Sequence, residues 1–132
     1  MSEHFGEHLT IDGYGGNPEL LNTKDLVLNC LSELLGILEM HPLNEPIIVE
    51  APDNHIKDPG GWSAFVMIAE SHISVHTFPR REFVSIDVYT CRNGLDVNVI
   101  EQYFKDKFEL KELETNFIIR GKKYPEHNIH EA

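Results

Sequence analysis

Ala69-Glu70-Ser71-His72-Ile73-Ser74-Val75-His76-Thr77 is the stretch around which the chain is organised, and Cys91 stands at the end of the next hydrophobic run. β-Branched residues alternate here with serine and histidine, the period of two that marks a strand. In such a strand Ile73, Val75 and Thr77 share one face, and His72, Ser74 and His76 share the other. One face is expected to pack and the other to carry chemistry. A short buried strand that holds so many hydroxyl and imidazole groups needs partners for them, because an unpaired buried polar group is unfavourable. The stretch is therefore a candidate active site.

Working outward, residues 5–14 alternate as a first strand, and Gly13, Gly15, Gly16, Asn17 and Pro18 make a turn that opens a helix. Leu21, Val27, Leu28, Leu31, Leu34, Leu35 and Leu38 recur at helical spacing, which predicts a helix over residues 20–40 with a broad apolar face. Asn22 or Thr23 is placed to cap it or its second segment. His41-Pro42 stops it, and residues 47–49 read as a second strand. Residues 51–61 form a long irregular loop, and loops of that length in small domains are often functional. Residues 62–69 lead into the central stretch, and residues 83–90 form the next strand, with Val84, Ile86 and Val88 on one face. Asn93-Gly94 turns the chain into an amphipathic helix over 96–107, residues 116–119 are a last short strand, and the polar tail after Gly121 is expected to be mobile. No internal repeat is visible. This order of elements predicts a single α/β (α+β) domain over 1–132, a two-layer sandwich with an antiparallel sheet and two helices on one face. The other face of the sheet then needs cover, and a homodimer with sheets packed face to face supplies it.

At 132 residues the chain is long enough for one substantial core. Its formal net charge of −11 argues against nucleic acid and anionic membrane as partners, since both reward basic patches. It suits a small cationic substrate, but a solvated acidic surface is the commoner meaning of such a charge. No apolar run approaches the ~20 residues of a membrane span, and Met1-Ser2-Glu3-His4 does not begin a signal peptide, so a cytoplasmic location is expected. Cys30 and Cys91 form no zinc-type pair and no disulfide framework, and Cys30 reads as a packing residue of the first helix. His72 and His76 are four residues apart, which in a strand separates the rings by roughly 13 Å. That is too far for one ion, and no metal is expected.

Glu70-Ser71-His72-Ile73-Ser74-Val75-His76-Thr77-Phe78-Pro79, followed by Ser85-Ile86-Asp87-Val88-Tyr89-Thr90-Cys91, resembles the self-processing core of the prokaryotic S-adenosylmethionine decarboxylases. Gly6-Glu7-His8-Leu9-Thr10-Ile11-Asp12-Gly13-Tyr14-Gly15 is similar to that family's first strand. Ser63, Ser71, His76 and Cys91 stand at the family's mutual spacings. Decarboxylating an α-amino acid leaves a carbanion that no ordinary side chain delocalises, so an electron sink is required. Pyridoxal phosphate has no recognisable signature in this sequence. The resemblance implies instead a pyruvoyl group made from Ser71. In that chemistry Ser71 Oγ attacks the carbonyl carbon of Glu70, and the ester then eliminates and hydrolyses. Cleavage between Glu70 and Ser71 leaves residues 1–70 and a pyruvoyl-headed 71–132. The resemblance assigns Ser63 as hydrogen-bond donor to the tetrahedral intermediate, His76 as base for the Ser71 Cα proton, and Cys91 as donor of the proton that returns to the substrate α-carbon. It also implies a Schiff base with the substrate amine, a homodimer, and a place in polyamine (spermidine) biosynthesis.

The likeness thins around the substrate. Arg80 stands where the family has a ribose-binding glutamate, and Lys57 where bacterial members have an adenine-stacking aromatic. Glu82 shares the side of Arg80 if the strand continues, and Phe5 offers a stacking face. Asp53 and Asp58 form an acidic loop suited to a guanidinium or ammonium group. Three readings follow: decarboxylation of S-adenosylmethionine, the same pyruvoyl chemistry on arginine or ornithine, or a non-catalytic regulatory partner of an active relative.

Overall fold

The structure, a computed structural model, describes residues 4–56, 59–69 and 71–125. Six strands form one sheet: β1 (Gly6–Tyr14), β2 (Ile47–Ala51), β3 (Gly61–Ile68), β4 (Ser71–Phe78), β5 (Phe83–Thr90) and β6 (Glu112–Arg120). Their order is β2-β3-β4-β5-β1-β6, and every neighbouring pair is antiparallel. Three helices accompany them: α1 (Pro18–Leu21), α2 (Lys24–Leu38) and α3 (Val97–Phe108). This is the expected α+β sandwich, with a short helical turn added.

Alternation decides what each strand contributes to the core. Leu9 and Ile11, Ala64 and Val66, Ile73 and Val75, and Val84, Ile86 and Val88 all point to the helices. They meet Leu31, Leu34, Ile100, Phe104 and Phe108, all fully buried. The intervening residues lie on the opposite, open face, where Val49 is 57% and Met67 47% exposed.

The expected helix over 20–40 is in fact two segments. Asn17, not Asn22 or Thr23, makes the side-chain cap, its Oδ1 accepting the Glu19 N–H at 2.9 Å. Thr23 stands at the start of α2 but turns its hydroxyl back to the Glu19 carbonyl at 2.6 Å, so it links the segments instead of capping the second. The last strand is also longer than its composition indicates. β6 pairs with β1 residue by residue from Gly6↔Arg120 to Tyr14↔Glu112. Its glutamates are compatible with this because an edge strand needs a partner's backbone more than an apolar face.

Gly61 lies where β3 presses on the end of β4: a Cβ there stands 1.9 Å from the Thr77 carbonyl oxygen. Among the described residues no helix is long and apolar enough to cross a membrane. The expected tail mobility falls largely on residues 126–132, outside the described residues.

Candidate active site

Ile68 pairs with Ser71, so β3 and β4 are joined by a two-residue link made of Ala69 and Glu70. Glu70 itself lies outside the described residues, as do Lys57 and Asp58. Ser71 opens β4 and is 8% exposed. Its Oγ donates to the Ala69 carbonyl at 2.9 Å and accepts the Cys91 N–H at 3.3 Å. Cys91 follows directly on β5, and its Sγ donates to the same Ala69 carbonyl at 3.6 Å. Serine and thiol are thus held on one carbonyl oxygen at one end of the sheet. A cleft of about 340 Å³ opens over them, lined by Met40, His41, Ile68, Ser71, Cys91 and Arg92 among others.

Ser63 and His76 form a second pair elsewhere. They face each other across β3 and β4, and His76 Nδ1 lies 2.9 Å from Ser63 Oγ. Five residues separate His76 from Ser71, which at a strand's rise is roughly 16 Å. The two also point to opposite faces. The division into a packing face and a polar face thus puts Ser63 and His76 on the polar face, as expected, but leaves Ser71 off it. An odd position places Ser71 with Ile73 and Val75 on the helix side, at the end of the layer where the cleft admits it.

The open face carries a polar network that inspection of the central stretch missed. Asp87 accepts from Ser74 Oγ at 3.4 Å and pairs with His8 Nε2 at 3.1 Å, while Arg120 Nη1 lies 3.1 Å from His8 Nδ1. A guanidinium has no acceptor, so Nδ1 accepts and Nε2 carries the proton donated to Asp87. His72 stacks on Phe65, ring centres 5.3 Å apart. Burial, with the neighbouring His8 and Arg120, holds its pKa below the ordinary value against the pull of Asp87. Burial and the nearby Glu114 and Asp87 raise the Asp12 carboxyl. Tyr14 donates to Glu114, and that bond pushes its phenol up to about 12. The available signal was the run of polar residues at alternate positions of both strands, His8, Thr10 and Asp12 against Ser85, Asp87 and Tyr89.

The substrate-binding candidates divide between the two ends of the sheet. Phe5 packs on Tyr124 at 4.7 Å, next to Gly6, whose backbone abuts Thr90 and Cys91; it belongs to the Ser71 end. Arg80 lies past the opposite end of β4, 3.5 Å from Asp53, in a cavity of about 360 Å³ shared with His55 and Arg81. Asp53 Oδ1 also accepts the His55 N–H at 2.7 Å, so its carboxylate is engaged. Glu82 does not share the side of Arg80 as a continued strand would have placed it. The strand does not continue past Phe78: Pro79–Arg81 form a 3-10 turn, and Glu82 closes it with φ 55°, exposed to solvent. Proline cannot donate to a ladder, and the turn carries Glu82 off the side of Arg80. Among the described residues no group of three or more His, Cys, Asp or Glu is placed to hold a metal ion.

Residues 7–121 match the family described as S-adenosylmethionine decarboxylase. The chain belongs to that family. It is 32% identical over 120 residues to the S-adenosylmethionine decarboxylase proenzyme of Clostridium botulinum strain Hall, an alignment that covers 91% of this chain and 97% of that one. The proenzyme of the same name from Thermococcus onnurineus is 31% identical over 119 residues, 90% of this chain and 79% of that one. The crystal structure of the adenosylmethionine decarboxylase from Aquifex aeolicus superposes with a TM-score of 0.78 at 21% identity, covering 96% and 99% of the two chains, so the fold is shared. Within this decarboxylase fold Cys30 is the packing residue expected of it. It is fully buried, and burial pushes its thiol up to about 11, which leaves it protonated and inert.

Proposed function

We propose that this family member is a self-processing, pyruvoyl-dependent decarboxylase that removes the carboxylate of S-adenosylmethionine and so supplies the aminopropyl donor of spermidine synthesis. The observation that carries the reading is the shared Ala69 carbonyl, which holds the hydroxyl that would become the pyruvoyl group beside the thiol that would return the proton. The residues present fit that group. Ser71 begins a strand after a two-residue link, its Oγ is hydrogen-bonded in place, and cleavage between Glu70 and Ser71 would leave the new N-terminus in the cleft beside Cys91. A pyruvoyl ketone there supplies the electron sink for decarboxylation. Cys91 then protonates the α-carbon.

Ser63 and His76 do not reach Ser71 of their own chain. They act, in this reading, on the Glu70–Ser71 bond of a second copy, reached past the end of its sheet where the β3–β4 link lies, while the open faces pack together. Ile47, Val49, Phe65 and Met67 give that contact apolar surface to bury, and a two-fold arrangement presents each pair to the other chain's serine.

Two measurements test the reading. The mass of the purified chain distinguishes a cleaved enzyme from a chain that stays whole, and an uncleaved chain would favour the regulatory-partner reading. Release of labelled CO2 from carboxyl-labelled S-adenosylmethionine, arginine and ornithine, offered separately, identifies the substrate. Release from S-adenosylmethionine alone is expected, because the Asp53 carboxylate that a basic amino acid would need is already taken by Arg80 and His55. Release from arginine or ornithine alone overturns that substrate assignment.

A further inference from the structure

Cys91 is not in the regular part of a strand. β5 ends at Thr90, and the chain bends through residues 91–95 before Asp96 caps α3. A bend of this kind has no ladder to fix a thiol, yet proton delivery tolerates little misplacement. Two charged side chains from opposite sides hold it.

On the β1 side, Glu7 is 5% exposed. Its carboxylate accepts the Gly94 N–H at 3.0 and 3.1 Å and the Leu95 N–H at 2.9 Å, and it lies 2.8 Å from His4 Nε2. Burial pushes the Glu7 carboxyl up, but the Leu95 and Gly94 amides and the His4 ring outweigh it, so the group is ionised at neutral pH. On the helix side, the Arg92 guanidinium donates to the Leu38 carbonyl at 2.9 Å and the Glu39 carbonyl at 2.7 Å, groups of the kind a helix C-terminus leaves without partners. Asn93, between them, gives no such hold through its amide oxygen, which is buried without a hydrogen-bond partner among the described residues.

We propose that Glu7 and Arg92 are positioning residues for Cys91, pinning the 91–95 bend from β1 and from the end of α2 so that the thiol stays on the Ala69 carbonyl beside Ser71. The inference rests on the decarboxylase reading of Cys91. Neither side chain donates the proton; each acts through the bend.

The test uses the full chain carrying Glu7→Ala, Glu7→Gln, Arg92→Ala, the Glu7→Ala/Arg92→Ala pair, or Cys91→Ala. Three quantities are read: the cleaved fraction by mass, kcat and KM for CO2 release from carboxyl-labelled S-adenosylmethionine, and the share of 71–132 chains that acquire an N-terminal alanine during turnover. Alanine forms when the proton goes to the residue-71 carbon instead of the substrate carbon, nitrogen staying on the protein and the substrate leaving as an aldehyde. In their cleaved fraction Glu7→Ala and Arg92→Ala are expected to lose about tenfold in kcat and to accumulate alanine as Cys91→Ala does. Glu7→Gln keeps an acceptor oxygen and is expected to recover most of the loss. The paired variant should fall by less than the product of the two single effects, because both act through one bend. Normal kcat and clean product in both alanine variants, with Cys91→Ala impaired, overturns the inference alone. So does a loss equal in Glu7→Gln and Glu7→Ala that follows melting temperature. An unimpaired Cys91→Ala overturns the role of Cys91 and this inference with it. Arg92 is exposed, so its variant decides the matter even where Glu7→Ala does not fold.

Discussion

If the Ser63–His76 pair works on the serine of a second copy, two chains that each lack one partner must repair one another. The separation makes the case quantitative. Five residues at about 3.3 Å each place Ser71 and His76 roughly 16 Å apart, whereas a general base works within about 3 Å of its proton or through one water. Ser71→Ala and His76→Ala are each expected to stay uncut when produced alone. Produced together, random pairing makes about half of the dimers hybrid, and in each hybrid the intact serine of one chain meets the intact histidine of the other. About half of the His76→Ala chains should then appear as fragments 1–70 and 71–132 in a denaturing mass spectrum, and none of the Ser71→Ala chains. Hybrids demonstrated by native mass spectrometry yet wholly uncut would refute the shared site. Cleavage of His76→Ala alone would remove His76 as the base.

Three further outcomes follow from the fold. Phe104→Ala empties a fully buried position packed parallel to Phe108, and should lower unfolding free energy by about 3–5 kcal/mol in urea titrations of the uncut Ser71→Ala background; a loss below about 1 kcal/mol would mean that the helix layer is not packed as described. Gly61→Ala drives a methyl group into the Thr77 carbonyl and should destabilise by at least about 1–3 kcal/mol, and an unchanged melting temperature would contradict the close approach of β3 to β4. Glu7 has a folded pKa below its ordinary value, so its contribution is present above the unfolded carboxyl pKa of about 4.3 and is lost as pH falls through the lower folded one. Amide exchange at Gly94 and Leu95 should therefore stay protected down to about that pH and open below it, while Glu7→Gln shows no such step.

Much of this was legible because period two and period 3.6 are local signals. β4 and β5 followed from alternation, and α2 from leucine spacing. The rest depended on partners far away in sequence. Residues 112–116 carry only a weak alternation, Leu113 and Thr115 between the outward Glu112, Glu114 and Asn116, and the ladder that extends the strand to nine residues comes from β1. The His8–Asp87–Arg120 network joins residues up to 112 positions apart, and it exists because β1 lies between β5 and β6. Glu82 was a different kind of miss. Pro79 already forbade the continued strand on which its assignment depended.

The separation of the Ser63–His76 pair from Ser71 was available from counting. Residues an odd number apart in a strand always lie on opposite faces, so a five-residue interval puts Ser71 and His76 on different sides of any sheet that contains both. Counting also puts them roughly 16 Å apart along the strand, a gap that no rotation of an imidazole spans. A chain whose processing needs both groups on one peptide bond therefore needs a second source for one of them, and the open face, with its exposed Val49 and Met67, is the surface on which a second copy would dock. On the proposed reading cleavage is conditional on assembly: a chain held monomeric is expected to stay whole, and one cut while native mass spectrometry shows only monomer would refute the shared site.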